Sequence, residues 1–160
     1  MITDKDYNII SEAIVFDLLE KKYGKGKVKR IPVGPGNIGD YKVGKKKIEV
    51  KGLSVDESGS DGDNFDFVSR SFGFSDKEWK IIRKDPDNFE LWVVYRLDRK
   101  TYKDWDVKYA VMDGYTLLKC KPSWRKVTLA MPKKMWKDTI QEKVPSSIWE
   151  KHKNKRQKKK

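Results

Sequence analysis

The chain has 160 residues, 37% of them hydrophobic and 38% charged, with 37 Lys and Arg against 24 Asp and Glu and a formal net charge of +13. That length suits one α/β domain with a real core and is too short for two ordinary ones, no stretch approaches the ~18 apolar residues of a membrane span, and the acidic N-terminal residues do not read as a secretion signal. The lone Cys120 agrees with a reducing compartment, so the expectation is an intracellular, cytoplasmic protein whose partner is a phosphate polyanion and not a membrane.

From Ile9 to Tyr23, Ile10, Ile14 and Leu18 fall on one helical stripe, and Gly24 is a natural stop, which predicts a first helix. Val28 to Val33 is expected as a strand. Gly34-Pro35-Gly36-Asn37-Ile38-Gly39 follows as a loop, and Asp40 to Val43 with Lys46 to Lys51 form a predicted hairpin. Leu53 to Ser71, rich in Ser, Gly and Asp, is expected as an exposed loop with a short strand at Phe65 to Val68. Ser75 and Glu78 have capping-box spacing, so a helix should run from Asp76 to Lys84 and stop at Asp85-Pro86-Asp87-Asn88. Phe89 to Leu97 is nearly all apolar at Leu91-Trp92-Val93-Val94-Tyr95, the pattern of a central strand covered on both faces. Further strands are predicted at Asp106 to Met112 and Val127 to Met131, and a last helix at Lys133 to Gln141 behind Pro132. The expected organisation is a single domain over residues 1–150 and a basic, disordered tail over 151–160, whose seven basic residues account for the fall from +13 to +6 if it is removed.

The stretch that carries chemistry is Gly39-Asp40-Tyr41-Lys42-Val43-Gly44-Lys45-Lys46-Lys47-Ile48-Glu49-Val50-Lys51-Gly52. A two-residue turn at Gly44-Lys45 sets Val43 opposite Lys46, Tyr41 opposite Ile48 and Asp40 opposite Glu49. Side chains alternate along a strand, so Tyr41, Val43, Ile48 and Val50 share one face, while Asp40, Lys42, Lys47, Glu49 and Lys51 share the other. Opposed β-carbons lie ~5 Å apart, close enough for Asp40 and Glu49 to converge on one cation beside the Lys51 ammonium. A divalent ion such as Mg²⁺ relieves the repulsion of two such carboxylates, polarises a phosphodiester and lowers the pKa of a bound water, and Lys51 can position that water or stabilise the developing charge. Glu12, on a stripe with Val15, Phe16 and Leu19, is either a further ligand or the partner of a nearby Lys.

Asp40 followed by Glu49-Val50-Lys51 as Glu-x-Lys, behind a helix bearing Glu12, resembles the PD-(D/E)XK nuclease superfamily with its restriction-endonuclease-like fold. Ile48 to Gly52, Ser75-x-x-Glu78-Trp79 and the strand Leu91-Trp92-Val93-Val94 are similar to the nuclease-like domain at the C-terminus of NO VEIN-type proteins. The resemblance spans about Ser11 to Leu97. It implies an α/β (α+β) fold with an αβββαβ core and a mixed central sheet flanked by helices. Asp40 and Glu49 would then be metal ligands, the Val50 carbonyl a third and Lys51 the catalytic lysine. Gly39 stands where the superfamily has its Pro, and Asp40 precedes Tyr41 where the closer group has the aromatic first.

Acid-x-Lys also occurs at Glu20-Lys21-Lys22, Glu78-Trp79-Lys80, Asp98-Arg99-Lys100 and Asp106-Val107-Lys108, in helices, a turn, or a strand without a close hairpin partner. The Gly34 to Gly39 loop matches Gly-x-Gly-x-x-Gly, but a hairpin follows where a dinucleotide site requires a helix, so no cofactor is expected there. With one Cys and one His, the latter placed in the tail and expected to be exposed, there is no zinc constellation. Asp56, Glu57, Asp61, Asp63 and Asp66 lack EF-hand spacing and suit a solvated loop.

The expected activity is therefore metal-dependent phosphodiester hydrolysis, a DNA endonuclease using Mg²⁺ or Mn²⁺ with Asp40, Glu49, Lys51 and Glu12. Cutting both strands of a duplex would suit a homodimer. The alternative is a non-catalytic basic module that binds nucleic acid on the same fold, with the hairpin acids only solvated charges.

Overall fold

The computed structural model describes residues 4–34, 37–52, 70–95, 107–122, 127–131, 135 and 141–155. In chain order the elements are α1 (Asp4–Tyr23), β1 (Val28–Arg30), β2 (Tyr41–Val43), β3 (Lys46–Gly52), β4 (Arg70–Phe74), α2 (Asp76–Lys84), a 3-10 turn at Pro86–Asn88, β5 (Phe89–Tyr95), β6 (Lys108–Asp113), α3 (Gly114–Leu118), β7 (Lys121–Pro122), β8 (Val127–Met131), β9 (Gln141–Lys143) and α4 (Ser146–His152).

Six strands form one mixed sheet in the order β1-β2-β3-β5-β6-β9, in which β3 and β5 are parallel and every other neighbouring pair is antiparallel. Parallel neighbours need a crossover, and α2 lies on the connection that supplies it. Two apolar layers sandwich this sheet. On one face Ile10, Ile14 and Leu18 of α1, joined by Ile148 and Trp149 of α4, pack on Ile48, Val50, Trp92 and Val94. On the other, Ile82 of α2 and Leu117 of α3 pack with Phe89, Leu91, Val93 and Tyr95. Every residue of β5 is buried, as expected of a strand covered on both faces. Strands β4, β8 and β7 form a separate three-stranded antiparallel sheet. Among the described residues no helix is long and apolar enough to cross a membrane.

The mixed sheet flanked by helices is as expected, and α2, with its reciprocal Ser75–Glu78 cap, and β8 keep their predicted bounds. Other bounds shift for physical reasons. The first helix begins at Asp4 because Tyr7 is a buried core residue one turn before Ile10. Strand β1 stops at Arg30 because β2 offers three partners, and Asp40, expected inside β2, precedes it. Gln141, expected to end a helix, starts β9 instead, paired to β6. The helices α3 and α4 and the strands β4, β7 and β9 were not anticipated. The predicted strand at Phe65 to Val68 and most of the helix from Lys133 lie outside the described residues.

The largest correction concerns the C-terminus. Lys151 and His152, expected in the tail, close α4, and His152 is 3% exposed where solvent was expected. Its Nε2 lies 2.7 Å from Asp17 Oδ2 on α1, which also accepts from Lys151 Nζ at 3.0 Å. Burial lowers the His152 pKa, with Lys155 and Lys151 acting in the same direction and Asp17 opposing them.

Candidate metal centre at the open end of the first hairpin

Gly44 takes φ +59°, which a left-handed turn requires, and the two-residue loop fixes Val43 opposite Lys46, Lys42 opposite Lys47 and Tyr41 opposite Ile48. The register is the expected one, so Glu49 and Lys51 leave the face opposite the one that Ile48 and Val50 bury under α1.

At the open end of this hairpin the chain changes from ladder to side-chain pairing. Asp40 N–H still donates to the Ile48 carbonyl at 2.7 Å, and the Asp40 carbonyl accepts from Ile31 N–H at 2.9 Å. One step on, Asp40 Oδ2 accepts from Val50 N–H at 2.8 Å, so a carboxylate occupies the place where β2 would continue. Gly39, at φ +85°, makes the bend. Proline, with φ locked near −65°, has no access to that conformation, and an added Cβ would stand 3.1 Å from the Ile48 carbonyl oxygen.

The Asp40 carboxylate sits near the sheet plane and is approached from both layers. From one side comes Glu12 of α1, whose main-chain carbonyl accepts from Tyr41 Oη at 2.8 Å and whose Oε2 lies 3.2 Å from Arg30 Nη2. The salt bridge considered for Glu12 therefore forms, with an arginine instead of a lysine. Burial and the neighbouring Asp40 raise the Glu12 pKa, against the pull of Arg30. From the other side comes Glu49, whose side chain is 14% exposed and whose Oε1 is 3.4 Å from Lys51 Nζ. Its pKa is pushed up to about 9, first by burial and then by Asp40 and Glu78, against the pull of Lys51. Lys51 Nζ also stands 6.0 Å from the centroid of the Phe74 ring, at the end of β4.

Glu78, which the sequence marks as a capping residue and as part of an acid-x-Lys triplet in a helix, has its carboxyl within hydrogen-bonding reach of Glu49. It accepts from Ser75 N–H at 2.9 Å in the same capping box. The capping box was itself the available signal, because a residue at that position folds its side chain back toward the chain entering the helix.

Asp40, Glu12, Glu49 and Lys51 are thus gathered around the end of β2. The Val50 carbonyl, two residues beyond Ile48 on the same strand, is directed to the same edge as Asp40. As placed, no trio of Asp, Glu, His or Cys side chains among the described residues forms a ready metal cage. Asp40 is engaged with Val50, Glu12 with Arg30 and Glu49 with Lys51. The donor set still fits a hard divalent ion, being all oxygen and crowding acids whose burial and mutual repulsion push the Glu49 carboxyl well above the usual carboxylate range.

A cavity of about 680 Å³ lies elsewhere, against β6, where its acids are already engaged. Glu90 accepts from Lys46 and Trp92, Glu142 from Tyr109, and Asp113 caps α3. No family model, curated protein or solved structure matches the chain.

Proposed function

We propose that this chain is a metal-dependent nuclease of the PD-(D/E)XK type, a DNA endonuclease that hydrolyses phosphodiester bonds at the open end of the first hairpin. The observation that carries the reading is the joint placement of Asp40, Glu49 and Lys51 at the point where β2 ends, with Glu12 brought to Asp40 from α1. The run α1-β1-β2-β3-α2-β5 within and beside the main sheet is also the αβββαβ order that the resemblance implies, with β4 set aside in the second sheet.

Asp40, Glu49 and the Val50 carbonyl would hold a Mg²⁺ or Mn²⁺ ion, with Glu12 able to join when Arg30 releases it. When bound, the ion supplies the positive charge that polarises the phosphodiester and makes a nearby water more acidic. Asp40 keeps its orientation through the Val50 amide. A cation would offset the burial and the repulsion by Asp40 that raise the Glu49 pKa, and so would favour its charged form. The Lys51 ammonium, on the same face and one alternation further along β3, donates to the attacking water or to the phosphoryl oxygens as charge builds on them. The chain's positive excess holds the polyanion and makes affinity fall with salt.

The test is cleavage of supercoiled plasmid and of single-stranded DNA with Mg²⁺ or Mn²⁺ by the native chain, Asp40→Ala and Lys51→Ala. Expected are nicking and linearisation that EDTA and either substitution abolish. Salt-sensitive binding by all three proteins with no metal-dependent product would replace this reading with the non-catalytic binding module.

A further inference from the structure

Three lysines stand in one rank across the first three strands. Lys29 of β1 is opposite Lys42 of β2, and Lys42 is opposite Lys47 of β3. Their chain neighbours Val28, Tyr41 and Ile48 belong to the core beneath α1, so alternation sends all three lysines out of the other face, the one that carries Glu49 and Lys51. Lys29 and Lys42 are exposed and Lys47 is half-buried. None of the three has an acidic partner among the described residues.

Such an arrangement works against the fold, because like charges directly opposite on neighbouring strands repel. A lysine on an edge strand discourages strand-to-strand aggregation, which accounts for Lys29 on β1. It does not account for Lys42 and Lys47, which lie on interior strands of the sheet. Neighbouring strands are ~4.8 Å apart, so the rank spans about 10 Å. Successive phosphates of one strand are farther apart than their ~3.4 Å rise along the helix axis, so a rank of this width meets about two of them, with the long lysine side chains able to reach a third.

We propose that Lys29, Lys42 and Lys47 form the track on which the phosphodiester backbone of a nucleic-acid strand lies as it enters the metal centre. The placing of the scissile phosphate rests on the nuclease reading. Lys47 precedes Glu49 by two residues on the same face, about 7 Å along β3, so the rank lies parallel to the Asp40–Glu49 row, and a backbone that turns along β3 at Lys47 brings its next phosphate to those acids. Ammonium groups meet phosphates as point charges and do not read base edges, so the track gives register and affinity without sequence preference.

The experiment is a salt titration of binding to a short labelled DNA duplex, followed by fluorescence anisotropy with the full chain in EDTA, so that binding is read without cleavage. One variant carries Lys29→Gln, Lys42→Gln and Lys47→Gln, and a control carries the same charge change at the exposed Lys21, Lys25 and Lys119. At about 0.1 M salt the rank variant is expected to bind at least about tenfold more weakly, with a log–log salt slope reduced by about two to three, while the control changes by no more than about twofold. Thermal melts check folding, and since the rank is a set of repelling pairs the variant should melt no lower than the native chain. If the triple variant does not fold, Lys42→Gln alone is expected to weaken binding about threefold relative to Lys21→Gln. Equal losses in rank and control variants would overturn the track. So would anionic phospholipid vesicles that bind through these lysines while duplex binding ignores them. Rank-dependent binding with no metal-dependent cleavage by any protein would remove the nuclease reading and leave the track standing as a binding surface.

Discussion

Replacing Glu49 with Gln separates what the site does for the fold from what it does for a cation. The Glu49 carboxyl, ordinarily near 4.5, is raised to about 9 in the folded chain, chiefly by burial. At pH 8 the unfolded chain carries Glu49 ionised, and folding must restore its proton, whereas below about pH 4.5 both states are protonated and nothing is lost. Each unit corresponds to about 1.4 kcal/mol, so the full difference at pH 8 approaches 5 kcal/mol, and the side chain's partial exposure to solvent reduces it to about 2–3 kcal/mol. Glutamine has the shape of the protonated acid and no such penalty. In EDTA the variant is therefore expected to be more stable than the native chain by an amount that grows from near zero at pH 5 to about 2–3 kcal/mol at pH 8. That is about 5–10 °C in the melting midpoint for a chain of this size. Adding Mg²⁺ should raise the native midpoint at pH 8, by about 2.7 kcal/mol at a hundredfold excess over its dissociation constant, and leave Glu49→Gln unmoved. Paired melts across pH, read by circular dichroism, decide the matter. A variant that is no more stable at pH 8 than at pH 5 relative to native would refute the burial argument, and a Mg²⁺ shift common to both proteins would refute the placing of the ion.

Gly39→Ala must hold a side chain at φ +85° with its Cβ 3.1 Å from the Ile48 carbonyl oxygen, so urea unfolding is expected to show a loss of about 1–2 kcal/mol. An unchanged midpoint would mean that the bend is not needed where it is drawn. His152, its pKa lowered in the fold by burial, resists protonation there more than in the unfolded chain. Its stabilising contribution should be complete above about pH 6.5 and fall as the pH drops through that value, so the native chain should lose more stability than His152→Gln between pH 7.5 and 5.5. Parallel pH profiles would discount it.

The hairpin register was legible because a Gly-Lys turn leaves one pairing that sorts Tyr41, Val43, Ile48 and Val50 to one face. The β5 strand was legible because a run of apolar residues this short has no amphipathic alternative. The bounds of α2 followed from the reciprocal bonds of Ser75 and Glu78. Strand β9 was not legible, since Gln141, Glu142 and Lys143 carry no apolar alternation, and the bond from Tyr109 Oη to the Glu142 carboxylate across the edge depends on a partner 33 residues away in sequence. The basic run that begins at Lys151 hid the end of α4, where Ile148, Trp149 and His152 make a short buried stripe. Which base met Glu12 depended on β1 running beside β2, which brings Arg30 within 3.2 Å. The approach of Glu78 to Glu49 depended on where α2 crosses the sheet, which no local pattern encodes.

The bond from the Val50 amide to Asp40 gives the two acids of the hairpin different histories under selection. Asp40 completes a hydrogen-bond ladder that otherwise ends on a bare N–H, so folding alone is reason to retain it. Glu49, whose pKa burial and Asp40 raise, is a burden on the fold at neutral pH. A library of this gene screened only for thermal stability should therefore drift away from glutamate at position 49 while keeping aspartate or asparagine at position 40.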